Sequence, residues 1–179
     1  MYYTLIIKPD ESIRRRVTAI KKKLENLYGY TGALSPKGVH ITMAYLKNPS
    51  TIDYEGVKNL CNETAPFYMN IGSIGYFART KKDIESYIIY LKVMPSPEMS
   101  EFHSRLIEII RNNSNDAGEF VPHLTLIRKN VNREKLEDIM YMLSATNFNC
   151  RTRISYLTIG KHKSMNSGWN FRRLYFNKI

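Results

Sequence analysis

Cysteine is nearly absent from this chain of 179 residues: Cys61 and Cys150 stand apart, with no partner at metal-ligand spacing. No HExxH, clustered carboxylates or Cys pair accompanies the four histidines, so neither a metal nor another cofactor is expected. Long apolar runs are also missing, and the opening MYYTLIIKPDE lacks the charged-then-apolar pattern of a signal segment. These absences set aside a disulfide scaffold, a zinc module and a membrane span, and leave a soluble, cytoplasmic monomer as the expectation. An apolar content of 43% excludes a disordered chain, and the length suits one domain or two small lobes packed together.

Acidic residues are outnumbered, 16 against 27 Lys and Arg, which leaves a net charge of +11. A basic surface gathers anions and speeds their capture, so RNA or nucleotide substrates fit the balance. Part of the charge falls on one helix, as Arg14-Arg15-Arg16 and Lys21-Lys22-Lys23. We read it as a solvated helix face rather than a dedicated RNA-binding surface.

What the chain does contain is one tripeptide twice: His40-Ile41-Thr42 in VHITMAYL and His123-Leu124-Thr125 in VPHLTLIR. Both sit in apolar runs that read as strands, where residues i and i+2 share a face, so each sets an imidazole beside a hydroxyl. With Thr at about one position in sixteen, four histidines give roughly a quarter of one chance match. Two matches 83 residues apart (123 minus 40) in two strand-like runs exceed that expectation. Two such pairs facing each other supply groups that titrate near neutrality and donors for phosphate oxygens.

The surrounding pattern repeats as well. Tyr2 to Lys8 reads as a strand stopped by Pro9, and Asp10 caps a helix running to about Tyr28 with the stripe Ile13, Val17, Ile20, Leu24 and Leu27. Gly29 ends it, and the loop TGALSPKG leads into the first motif strand. A helix near Tyr54 to Asn62 and the extended segment PFYMNIGSIGYFA follow, with Gly72 and Gly75 as bends or bulges. After the polar turn RTKKD, a strand anchored on Tyr87 to Leu91 ends before Pro95. Ser96 then caps a helix with Pro97 at its first position and the stripe Met99, Phe102, Leu106 and Ile109 or Ile110. The loop NNSNDAGE precedes the second motif strand. A helix near Arg133 to Leu143, a strand near Arg153 to Ile159 and a last strand from Trp169 to Phe176 complete the chain. Each half thus reads strand, helix, motif strand, helix, strand, which predicts one α+β domain over residues 1–179, two-lobed and built by duplication.

With a Pro before the second His and Arg128 five residues after it, the motifs resemble those of the 2H phosphoesterases. Within that superfamily they are most similar to the RNA 2′,3′-cyclic phosphodiesterases, also called 2′-5′ RNA ligase-like proteins. The resemblance runs through the N-terminal strand, both motifs, the Gly-containing strand before Phe77 and the EFVPHLTL segment. It implies a bilobal α+β fold, two antiparallel sheets around a central cleft with helices outside, and one motif from each lobe. It also implies catalytic roles for His40, Thr42, His123 and Thr125. One imidazole would activate water and the other protonate the departing ribose oxygen, while the hydroxyls donate to the non-bridging oxygens. Which histidine is acid and which is base stays open.

Two substrate-binding positions carry over from the same branch. Arg128 matches an Arg that contacts phosphate or nucleotide. Strict alternation from His123 would turn Arg128 away and bring Lys129 inward, whereas a bulge would reverse this, so Arg128 ranks first and Lys129 second. Tyr45 stands where the branch often has an aromatic, and would either stack on a base or pack. Met43 and Lys47 replace the branch's usual Leu and Gly, and the first strand lacks its Arg-led start. His103 and His162 read as surface residues; Trp169, Phe77 and Tyr156 read as packing.

The resulting expectation is a metal-independent phosphoesterase acting on 2′,3′-cyclic phosphate ends or 2′-5′ linkages of RNA or nucleotides. The alternatives are a phosphodiesterase degrading a signalling oligonucleotide (a 2′-5′ oligoadenylate or cyclic oligonucleotide) and an inactive nucleotide-binding module.

Overall fold

Twelve elements follow one another in a computed structural model that describes residues 2–29, 38–46, 52–81, 84–111, 119–162 and 170–177. They are β1 (Tyr2–Ile7), α1 (Glu11–Tyr28), β2 (Ile41–Leu46), α2 (Tyr54–Glu63), β3 (Phe67–Lys81), β4 (Ile84–Met94), α3 (Pro97–Ile110), β5 (His123–Val131), α4 (Arg133–Ser144), β6 (Cys150–Ile154), β7 (Tyr156–His162) and β8 (Asn170–Tyr175). The fold is α+β, with two antiparallel four-stranded sheets ordered β2-β1-β7-β8 and β5-β4-β3-β6.

The two orders correspond over their first three positions. A motif strand forms one edge of each sheet, its half's first strand lies next to it, and the third strand comes from the other half of the sequence. The sheets therefore do not coincide with the sequence halves: β3 joins the second sheet and β7 and β8 join the first. The strand expected near Arg153 to Ile159 is in fact two. The chain breaks at Ser155, so that β6 ends in one sheet and β7 begins in the other. His162 is the last residue of β7, aligned with Tyr2 of β1. Trp169 and Lys47 lie outside the described residues.

The elements form where their local chemistry directs. Ser96 accepts the Met99 N–H at 3.3 Å and Pro97 opens α3. Asp53 and Asn132 likewise cap α2 and α4, accepting from Gly56 and Lys135 at 2.8 and 3.0 Å. Asp10 occupies the cap position of α1, but its side chain does not close that helix. The Thr152 hydroxyl donates to its carboxylate at 2.9 Å and accepts the Asp10 N–H at 3.0 Å, tying the start of α1 to β6.

One contiguous buried cluster draws on all twelve elements, with period-two faces such as Leu5 and Ile7 on β1 and Tyr87, Ile89, Leu91 and Val93 on β4. Its α1 face differs from the expected stripe. Ile13, Val17 and Leu24 are buried as predicted, but Leu27 is 56% exposed and Lys21 is only 8% exposed. A helical turn of 3.6 residues places the steps at 17, 21 and 24, so the buried position falls on Lys21 while Ile20 is only partly covered. The rest of the basic run divides as a solvated face would. Lys22 and Lys23 are exposed, and Arg15 pairs with Glu11 at 2.6 Å in water, a contact of small consequence.

Candidate active site

The edge strands β2 and β5 lie against each other at a seam between the sheets, β2 starting just after His40 and β5 at His123. Both histidines are held alike. His40 Nδ1 lies 2.8 Å from the Gly38 carbonyl oxygen and His123 Nδ1 lies 2.8 Å from the Val121 carbonyl oxygen, in each case two residues upstream. A carbonyl only accepts, so Nδ1 carries the proton in each ring. Nε2 is then left as the nitrogen that takes up or gives up a proton.

Two matching bulges decide what stands beside these rings. On β2, Thr42 aligns with Ile6 and Ala44 with Leu5, leaving Met43 as the extra residue. Met43 and Ala44 are both buried, and Tyr45, aligned with Thr4, returns to the face of Thr42. On β5, Thr125 aligns with Tyr90 and Ile127 with Ile89, leaving Leu126 as the extra residue. Leu126 and Ile127 are both buried, so the exposed Arg128 follows on the face of His123 and Thr125. In both motifs the residue five after the histidine thus turns toward the histidine face, against simple alternation. Tyr45 is 44% exposed there. Lys129 belongs to β5, and its side chain lies outside the described set.

The surroundings of the two rings differ. Burial pushes His40 down from its ordinary 6.5 to about 4, and the cations Lys21, Lys8 and Arg128 push the same way against the Gly38 carbonyl. Arg128 thus acts on the histidine of the opposite sheet. His123 is also lowered, by burial first and by the Arg79 charge, against the Val121 carbonyl. Its ring meets Phe77 at 5.1 Å and Tyr90 at 5.2 Å between centroids, and these two stack on each other at 4.3 Å. Gly75 makes room for this arrangement, since a Cβ there would stand 2.7 Å from the Tyr90 ring. Gly75 is accordingly a clearance position, while the bulge of β3 is at Ser73 between Gly72 and Ile74, with left-handed backbone at φ 30°.

Phe77 therefore borders the site instead of only packing. Tyr156 lies under the Arg173 guanidinium, 5.0 Å from its ring centroid, and its strand register places it on the same sheet face as Thr158, Ile6 and Thr42. His103 of α3 stacks on Phe120, with 3.6 Å between ring centroids. Lys8, Lys21, Arg79 and Tyr90 escaped the sequence reading. Lys21 left a signal, a lysine at a buried helical step. Tyr90 left none, because Tyr87 to Leu91 is apolar throughout and does not show which side faces the seam.

Burial of a neutral His40 carries a stability consequence. Between pH 6.5 and about 4 the unfolded chain takes up a proton that folded His40 refuses, so stability should fall as pH drops through this window. Urea midpoints at pH 7 and pH 4.5 measure it, and His40→Asn should lose less stability between them than the wild type. An equal loss in both would show that His40 is not the group responsible.

Similar proteins agree with the geometry. The sequence model of the 2′-5′ RNA ligase superfamily matches residues 9–165. A Bacillus cytotoxicus protein named as a phosphoesterase is 25% identical over 177 residues, covering 92% of this chain and 95% of its own. Among solved structures, TT0787 of Thermus thermophilus superposes with a TM-score of 0.71 at 15% identity, over 99% of this chain and 98% of its own. Escherichia coli LigT, crystallised with 3′-AMP, gives 0.69 at 14% identity over 97% and 94%.

Proposed function

The chain belongs to the 2′-5′ RNA ligase superfamily, and from that premise we propose that it is a phosphoesterase opening 2′,3′-cyclic phosphate ends or 2′-5′ linkages of RNA and nucleotides by paired-histidine acid–base catalysis. The reading treats the chain as one two-lobed unit with both motifs at a shared seam. The observation that carries it is the duplicated Nδ1–carbonyl contact, which makes Nε2 the proton-transferring nitrogen of each ring. LigT's crystallisation with 3′-AMP supports a nucleotide ligand for this fold.

The step balances without further reactants. Water attacks phosphorus and gives a proton to one neutral imidazole at Nε2. The P–O bond to the ribose oxygen breaks, and that oxygen takes the Nε2 proton of the other ring, which enters the step as an imidazolium and leaves it neutral, while the first ring has become the imidazolium. Thr42, Thr125 and Arg128 stabilise the charge gathering on the non-bridging oxygens. His40, pushed down to about 4 by burial and by the three cations acting on it, suits the base. His123, on which the Arg79 charge acts, suits the acid, and the phosphate's negative charge would raise its pKa in the complex.

Two imidazoles accomplish both proton transfers, and among the described residues no group of three or more His, Cys, Asp or Glu is placed to hold a metal ion. Hydrolysis of a 2′,3′-cyclic nucleotide, followed by separation of the 2′- and 3′-monoesters, should therefore proceed unchanged in EDTA. Loss of turnover on chelation, restored by one specific divalent ion, would overturn the metal-independent mechanism.

A further inference from the structure

The second sheet continues beyond His123 as an open, one-signed surface. His123 aligns with Lys92 of β4, and Lys92 with Gly72 of β3. Two residues farther along, Met94 aligns with Asn70 and Asn70 with Arg151 of β6, and Tyr68 aligns with Arg153. Directly aligned residues share a face, so all of these lie on the side that carries His123. Its described side chains include five cations, Arg79, Lys92, Arg128, Arg151 and Arg153, and no acid.

At the far end lies a cavity of about 540 Å³ whose walls include Tyr68, Asn70, Met94 and Arg151. Tyr68 is 45% exposed and the Arg151 guanidinium sits 4.1 Å from its ring centroid. Glu98 also lines the cavity, an exposed carboxyl held below its ordinary range first by the Ser96 hydroxyl. An exposed ring braced by a guanidinium among cations matches what a base and its phosphate require. Two strand spacings across and four residues along separate His123 from Tyr68 by about 16 Å. A mononucleotide held at the seam falls short of that distance, whereas a continuing strand covers it.

We propose that this face is a binding path for single-stranded RNA continuing from the seam, ending with a base stacked on Tyr68 and its backbone held by Lys92 and Arg151. The proposal rests on the phosphoesterase reading for its substrate class and narrows that substrate to an oligonucleotide.

Fluorescence anisotropy of a labelled RNA pentamer ending in a 3′-phosphate, which the proposed reaction leaves intact, tests the path directly. Tyr68→Ala should weaken binding about tenfold while Tyr68→Phe binds as the wild type does. Lys92→Ala and Arg151→Ala should each lower the slope of log Kd against log salt by about one contact. Turnover of a 2′,3′-cyclic mononucleotide should be unchanged in Tyr68→Ala and Arg151→Ala. Failure of the wild type to bind the pentamer, unchanged affinity in all variants, or equal losses on mononucleotide and pentamer would each overturn the path. If the wild type fails to hydrolyse the cyclic mononucleotide, the phosphoesterase reading falls, and the pentamer affinities still decide the path.

Discussion

Replacing His40 by Ala should lower kcat on a 2′,3′-cyclic nucleotide by about 10²–10⁴, and replacing His123 by Ala should do the same, the usual contribution of one general acid or base. The expectation follows from rings anchored alike through Nδ1, so that each loses the same Nε2 function when truncated. The double variant should lose less than the product of the two single losses, because a base without its acid already has little left to contribute. Thr42→Ala and Thr125→Ala should be milder and divide between KM and kcat, each removing one hydroxyl donor. Steady-state kinetics on purified variants, with folding checked by circular dichroism, measures all five. Near-full activity in His40→Ala beside an inactive His123→Ala would refute a two-motif mechanism.

Arg128→Ala should be nearly as damaging, lowering kcat/KM by about 10²-fold, the usual loss when a charge-stabilising donor is removed. It should also leave a signature that loss of packing would not produce. Because the Arg128 cation depresses His40, its removal should raise the His40 pKa from its value of about 4, as followed by NMR titration of the imidazole. Arg128→Lys should restore that pKa effect with only part of the rate, since a point charge replaces the planar fork. Lys129→Ala should remain close to the wild type. A greater loss in Lys129→Ala than in Arg128→Ala would mean that the bulge at Leu126 does not decide which side chain serves the phosphate.

Much of this was readable from local chemistry. Ser96 followed by Pro97 marks the start of α3 through its own hydrogen bond, and the strand spacing of His123 with Thr125 sets that pair on one face. What escaped depends on partners distant in sequence. The bulges show only as apolar doublets, Met43-Ala44 and Leu126-Ile127, and pairing with β1 and β4 is what makes them bulges. The break at Ser155 shows as a slip in phase, with Thr152 and Ile154 buried before it and Leu157 and Ile159 after it, within what otherwise reads as one strand. Lys21 reads as part of a charged run until the turn of α1 carries it inward, where burial lowers its pKa. The exchange of β3 and β7 between sheets is a property of tertiary pairing that no local pattern encodes.

The pH dependence of kcat/KM for a dinucleotide ending in a 2′,3′-cyclic phosphate, measured with product identification, bears most directly on the paired-histidine claim. In the free protein the base must be unprotonated, above about 4 for His40, and the acid protonated, below the lowered value of His123. Paired-histidine catalysis predicts a bell with its acidic limb well below 6.5, a phosphomonoester as product, and a kcat bell displaced to higher pH by the bound phosphate's charge. It also predicts that His40→Ala loses the acidic limb and His123→Ala the basic limb. Hydrolysis with no bell, or with both limbs intact in His40→Ala, would contradict it.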